Sequence, residues 1–235
     1  HTQMARQDEI EVYKSVAVGE NIIEAGEDVR IGEKVLPSGI RLRPAEIGGL
    51  LALGILEIPV AVQPVVGILS SGDEVIDAAK KPLPGQVRDI NSHSLAALVE
   101  AHGGKPRLYG IAPDDITVFD PLIQRAYQEC DMLIITAGSS ASSRDLTAEV
   151  IQKLGDPGVL VHGVAVRPGK PTILAVCNRK PVIGLPGNPV SALVIATLFA
   201  VPVLEQIAGL AHPGTMHFVN AVLQTNVPSA AGRED

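Results

Sequence analysis

Residues 131–155 read DMLIITAGSSASSRDLTAEVIQKLG: a short unbroken apolar run, a loop of small residues, then apolar positions at helical spacing. A run of five or six apolar residues bounded by turn formers reads as a buried strand, and the 3.6-residue rhythm after it as a helix. The same alternation spreads outward in both directions. Upstream, VVGILS (65–70) is a strand, SHSLAALVEAHG a helix that Asn91 caps, RLYGI (107–111) a strand and ITVFDPLIQRAYQEC a helix. Downstream, VLVHGVAV, TILAVC and PVIGL are three more apolar runs, and PGNPVSALVIATLFAVPVLEQIAG closes as a long helix. Strands separated by helices of this length predict βαβ units, hence an α/β three-layer sandwich with a mostly parallel sheet.

Composition agrees with a buried sheet. The chain has 235 residues, 46% of them apolar but only 3% aromatic and none Trp, so its core is built from Val, Ile, Leu and Ala. A net charge of -7 argues against a general nucleic-acid surface and requires any cationic grip to be local. Cys130 and Cys177 lie too far apart for a metal motif and read as buried thiols, which suits a reducing cytoplasm. The longest apolar stretch, Val190 to Val201, is shorter than the ~20 residues a membrane span needs and reads as a buried helix. His93, His102 and His162 have no metal-ligand spacing and are assigned no chemistry.

The ends read differently. Glu9 to Val18 alternates weakly, as a strand. GENIIEAGEDVRIGEKVLPSGIRLRP (19–44) is rich in Gly and charge and reads as extended and turn-rich, with no internal repeat along the chain. Pro44 opens a short helix that ends near Gly54. We therefore expect three parts: partial N-terminal modules over 1–61, the α/β domain over 62–208, and the start of a further module over 209–235. The opening at His1 and the polar end read as a piece of a longer protein.

In a parallel sheet, ligands sit outside the carboxyl ends of the strands. Five loops predicted at that edge carry the unusual residues. In SSGDE (70–74), Gly72 allows a tight turn and Asp73 can cap a helix, but Glu74 adds a second carboxylate. Asp114 and Asp115 follow the next strand. AGSSASSRD (137–145) offers small residues, among them Ser139 and Ser140, and backbone N–H groups ahead of a helix; the plainer reading is a loop with Ser143 or Asp145 as cap. RPGKP (167–171) sets Arg167 and Lys170 three residues apart on a turn, a fork and a point charge that suit an oxyanion; alone it is an exposed turn. LPGNPVS (185–191) holds Gly187 and Asn188 between prolines, with Pro189 opening a helix and Ser191 near its start; alone it is a stiff helix start with an Asn cap. Together, Glu74, Asp114 and Asp145 beside two cations look like a hard-cation site, such as Mg²⁺, next to an anion site.

GDE, DINS, PDD, AGSS…RD, RPGKP and GLPGNPVSAL, in this order, resemble the molybdopterin molybdenumtransferase (MoeA/gephyrin) family, and so does the segment from Gly19 to Ile55. The resemblance covers about Val18 to Leu210. It implies a molybdopterin-binding fold, a multidomain homodimer, and insertion of molybdate into adenylylated molybdopterin with release of AMP, assisted by Mg²⁺. It also implies Asp73, Glu74, Asp114 and Asp145 as acidic site residues, with Lys170 and Ser191 holding molybdate or phosphate oxygens. Family members often carry Lys where Arg167 stands, and Ser142 and Ser143 replace a Gly-rich sequence. Two other readings compete: a molybdopterin adenylyltransferase, which has no need of the segment before Pro44, and a non-catalytic pterin-binding or scaffold module.

Overall fold

The computed structural model describes residues 2–137, 141–214, 219–222, 224–226, 229, 231–232 and 234, with the backbone alone over 141–145. It divides into two compact units, residues 1–38 and 39–235.

In the first unit, β1 (Thr2–Arg6) and β2 (Glu9–Val12) form an antiparallel hairpin with Thr2 opposite Val12. Three similar turns follow. Gly19, Gly26 and Gly32 all have positive φ, the left-handed conformation that glycine adopts without strain. The glutamate after each folds back onto a backbone N–H: Glu20 on Ala17 at 2.9 Å, Glu27 on Glu24 at 3.0 Å and Glu33 on Arg30 at 2.8 Å. A Gly-Glu pair thus closes each turn from both backbone and side chain.

The second unit opens with α1 (Pro44–Ala52), where Pro occupies the first turn and Glu46 caps the backbone N–H of Arg43 at 2.8 Å. The Arg43 guanidinium hydrogen-bonds the same carboxylate and holds the Glu46 pKa down at about 2. Next come β3 (Val65–Ser71), β4 (Val75–Ile76) and β5 (Val87–Arg88), then α2 (Asn91–Ala101), β6 (Lys105–Ala112) and α3 (Ile116–Glu129). They are followed by β7 (Met132–Thr136), α4 (Ala141–Gln152), β8 (Pro157–His162), β9 (Ile173–Cys177) and β10 (Lys180–Leu185). The chain continues as α5 (Pro189–Ile195), a π-helical turn (Ala196–Ala200) and α6 (Val201–Ile207).

The main sheet has the order β6-β3-β7-β10-β9-β8. β6, β3, β7 and β10 are mutually parallel, whereas β9 runs antiparallel to both its neighbours. The fold is therefore the α/β sandwich with a mostly parallel sheet that the sequence predicts. Successive strand residues point to opposite faces, which creates two apolar layers. Leu69, Leu133, Ile135 and Val182 pack with Phe119, Ile123, Val150 and Ile151 on one face. Val66, Ile68, Met132, Ile134 and Ile183 pack with Leu95, Val99, Ile195 and Leu204 on the other.

Among the described residues one helix, Pro189–Ile207, is by length and composition long and apolar enough to cross a membrane. It extends beyond the apolar stretch Val190–Val201 over the long helix read from sequence, and its inner face lines the second apolar layer, as in a core helix. Cys130 and Cys177 are buried free thiols, and burial pushes both thiol pKa values up.

Two sequence expectations are corrected at helix starts. Asn91 does not cap α2: Asp89 does, its carboxylate accepting from Ser92 N at 3.0 Å and from Ser92 Oγ at 2.5 Å. The stretch Ala141–Asp145 is the first part of α4 rather than loop, so Ser143 and Asp145 stand inside the helix and not at its cap.

His102, at the end of α2, is not a bare surface residue. Its Nδ1 lies 2.9 Å from Glu205 Oε1 on α6, and the other oxygen of Glu205 accepts from Gly214 N at 2.7 Å. Burial, the largest influence, pushes the Glu205 carboxyl up, but the Gly214 N–H and His102 together hold it below its ordinary value of 4.5. A lowered folded-state pKa stabilises the fold above the unfolded value, and that stability is lost as pH falls through the lowered one. Thermal unfolding of the wild type and of Glu205→Gln should therefore differ most above about pH 5 and converge on acidification. A gap that widens in acid would contradict this assignment.

Candidate functional site

From β3 the chain crosses to β6 on one side and then returns to β7 on the other. A crevice forms at the carboxyl ends where the strand order reverses this way. A cavity of about 610 Å³ lies there, lined by Ser70 and Ser71 at the end of β3 and by Thr136 and Ala137 at the end of β7. Glu74, Arg88, Asp89 and Asn91 form one wall, and Gly187, Asn188 and Pro189 another. Val75, Pro82, Val87 and Ile90 make much of the remaining surface apolar.

A chain of hydroxyls crosses the floor. Thr136 Oγ1 donates to Ser70 Oγ at 3.0 Å, Ser70 and Ser92 share a hydrogen bond at 2.8 Å, and Ser92 ends on Asp89. These groups are buried, and the network fixes the end of β3 against the start of α2. At the side, Asn91 Nδ2 donates to Gly187 O at 2.9 Å, tying α2 to the turn before α5. Asn188 caps α5, its Oδ1 accepting from Val190 N at 3.1 Å and Ser191 N at 3.3 Å. The cap reading of LPGNPVS is thus realised, and the turn also walls the cavity. Ser191 is buried behind that wall.

The acidic loops are joined to each other. Gly72 N donates to Ala112 O at 3.2 Å, and Asp73 Oδ1 accepts from Asp114 N at 3.0 Å. Gly72 has φ +138°, and a Cβ there would stand 2.6 Å from Glu74 Oε2, so glycine is what lets Glu74 fold over the turn. Asp115 is used as the cap of α3, with Thr117 N at 2.9 Å and Thr117 Oγ1 at 2.7 Å; these bonds hold its carboxyl below the usual range.

Arg167 and Lys170 are not in this cavity. They line a second one of about 560 Å³ with Val164, Gly169 and Pro171. β8 runs in the same direction as β10, so the segment from β8 to β9 does emerge at the carboxyl edge, as expected, but two strands further along. The two sites share one helix. Gly169 is pressed onto Ile195 of α5, and α5 begins at the turn that walls the first cavity.

Of the expected residues, Glu74, Gly187, Asn188 and Pro189 line the first cavity, with Gly72, Asp73 and Asp114 in the loops beside it. Ser139, Ser140 and the Asp145 side chain lie outside the described residues. Among the described residues no group of three or more His, Cys, Asp or Glu could hold a metal ion. The donors that are described, Glu74 and Asp114, are carboxylate oxygens at the ends of neighbouring strands, the type and number that Mg²⁺ takes alongside ligand phosphates.

The sequence reading missed Arg88, Asp89 and Asn91 as wall residues, and the hydroxyls of Ser70 and Thr136. DINS was visible as a motif, but a polar group just before a helix looks the same whether it caps or lines a pocket. The strand-end hydroxyls gave a usable signal, since Ser and Thr interrupt otherwise apolar runs just where the strands stop.

Comparison with known proteins gives a consistent result. Residues 67–206 match the family described as "Probable molybdopterin binding domain", and residues 1–54 match "MoeA N-terminal region (domain I and II)". A molybdopterin biosynthesis protein of Methanocaldococcus jannaschii is 40% identical over 200 residues, 82% of this chain and 50% of that protein. A molybdopterin molybdenumtransferase of Nostoc is 34% identical over 202 residues, 85% of this chain and 46% of the relative. The crystal structure of a molybdopterin biosynthesis MoeA protein from Pyrococcus horikoshii superposes with a TM-score of 0.76 at 33% identity, covering 99% of this chain and 55% of that one. The chain spans about half the length of the curated relatives it matches.

Proposed function

Because the chain belongs to the MoeA family, with that family's molybdopterin-binding domain at its centre, we propose that it acts in molybdenum cofactor biosynthesis as a molybdopterin molybdenumtransferase. In this reading it accepts adenylylated molybdopterin and molybdate, places the metal on the pterin dithiolene and releases AMP. The observation that carries the reading is the large cavity at the strand-order reversal, walled by the GDE and GNP turns. It supplies apolar sides for a flat ring, while the acidic loops beside it suit a magnesium-bound phosphate.

The roles divide along the edge. Gly72, Asp73, Gly187, Asn188, Pro189 and Ser191, with Ser139 and Ser140, shape the pterin and phosphate subsite. Glu74, Asp114 and Asp145 hold Mg²⁺, which neutralises charge on the phosphates. Arg167 and Lys170 hold the molybdate oxyanion in the second cavity by a fork and a point charge. The same reading makes the protein a homodimer of the cytoplasm with no nucleic-acid or membrane partner, and keeps the domain division at about residues 62 and 208.

AMP release tests it. With adenylylated molybdopterin, molybdate and Mg²⁺, the wild type should release AMP, and Asp145→Ala should lose about 10²-fold or more of the rate at unchanged circular dichroism. Consumption of ATP with unmodified molybdopterin would point instead to an adenylyltransferase. Pterin binding without turnover would point to a binding module.

A further inference from the structure

We propose that Asn91 Oδ1 is a specificity-determining acceptor in the first cavity, recognising an N–H donor on the edge of the bound heterocycle. The proposal rests on the pterin reading above and adds the residue that selects the ring.

Asn91 is the first residue of α2, is 8% exposed and lines the cavity. Its amide cannot be turned round: Nδ2 faces the Gly187 carbonyl at 2.9 Å, and a flip would set two carbonyl oxygens against each other. The other branch is therefore an acceptor. Among the described residues, Asn91 Oδ1 is the one buried side-chain nitrogen or oxygen with no hydrogen-bond partner. A buried acceptor left unpaired bears its full desolvation cost, and such groups in folded proteins call for a specific explanation.

The neighbours do not supply a donor. Ser70, Ser92 and Thr136 spend their hydroxyl hydrogens along the chain that ends at Asp89 or within it. Val75, Pro82, Val87, Ile90 and Pro189 present only apolar side chains to the cavity, and its polar side chains Ser71, Arg88 and Asn188 make no hydrogen bond to Oδ1. The oxygen is sealed from bulk solvent, so its donor must arrive on a group that enters the cavity. A flat ring between apolar walls, with an N–H on its edge, meets these conditions. The aminopyrimidinone end of a pterin carries such donors, and a ring that offers only acceptors there is rejected because Oδ1 stays unpaired.

The test compares pterin with its 2-desamino and N3-methyl analogues, with binding followed by pterin fluorescence on the full chain. The wild type should prefer pterin over at least one analogue by about tenfold, the effect of one buried hydrogen bond. Asn91→Ala should erase that preference. Asn91→Asp keeps an acceptor oxygen but sets its other oxygen against the Gly187 carbonyl, so overall affinity should fall while the preference survives; it covers the case in which the alanine variant does not fold. Identical preference ratios in wild type and Asn91→Ala would overturn the role of Asn91 while leaving pterin binding intact. Failure of the wild type to bind any of the three would sink the pterin reading itself, and this inference with it.

Discussion

Gly169→Ala is expected to dislodge the cationic loop and to lower both stability and the response to molybdate. Gly169 has φ +132°, and a Cβ there would stand 2.3 Å from Ile195 Cδ1 and 2.4 Å from Ile195 Cγ1. Ile195 has no room to yield, being 0% exposed in the apolar layer it shares with Ala192 and Ala196. The loop is held from the other side as well, because Thr172 Oγ1, itself buried, donates to Gly169 O at 2.6 Å. The clash and the disfavoured backbone together should cost roughly 2–5 kcal/mol. Urea unfolding should show the lower midpoint, and AMP release should need more molybdate for saturation, because Lys170 moves with its neighbour. An unchanged midpoint and an unchanged molybdate curve would mean that the loop does not lean on α5.

Phe119→Ala should produce a stability loss of similar or greater size with no direct contact to either cavity. Phe119 is 1% exposed and sits in the layer formed with Leu69, Ala112, Ile123 and Leu133. The chain has three Phe residues and no Trp, so this face is built mainly on aliphatic side chains around Phe119, with Tyr109 and Tyr127 packed at its margin. Those side chains are themselves fixed by strand and helix backbones and cannot collapse far into the space left. Burial of this kind puts the expected loss at about 3–5 kcal/mol, a large share of the ~5–15 kcal/mol of a typical domain. Phe119→Leu should lose much less, since it leaves a smaller void. Equal unfolding midpoints for wild type and Phe119→Ala would show that this layer is not packed as described.

The parts of the fold that were legible in the sequence are those written in local periodicity. VVGILSS and MLIIT are strands because each is a short apolar run stopped by hydroxyl residues, and the intervening helices carry a 3.6-residue rhythm. Direction is not written that way. TILAVC and PVIGL look alike as apolar runs, yet β9 is reversed. The signal lay between them. Asn178 and Arg179, both at positive φ, form a two-residue connection, which joins antiparallel strands and is far too short for a crossover.

The candidate site was legible as a set of loops and not as a volume. Strand order decides which loops share a cavity, and order depends on pairings between distant segments. Hence Glu74 and Asn188 meet, whereas Lys170 lies in a neighbouring hollow. The sequence points to Asn91 as the cap that Asp89 supplies, because two polar residues on either side of Ile90 compete for one cap and only the backbone geometry chooses between them.

The ten residues between β8 and β9 leave the sheet and return to it as the end of a hairpin, closed at its root by Gly163 N to Thr172 O at 2.7 Å and Val164 N to Lys170 O at 2.9 Å. A tip of that kind behaves as an exchangeable cartridge. Its charge and reach can be rewritten without rethreading any crossover, provided that the small residue facing Ile195 is retained. In the proposed reading, selection between oxyanions of different size would drift in this segment while the first cavity stays constant, and loop libraries spanning 164–171 are the place to test it.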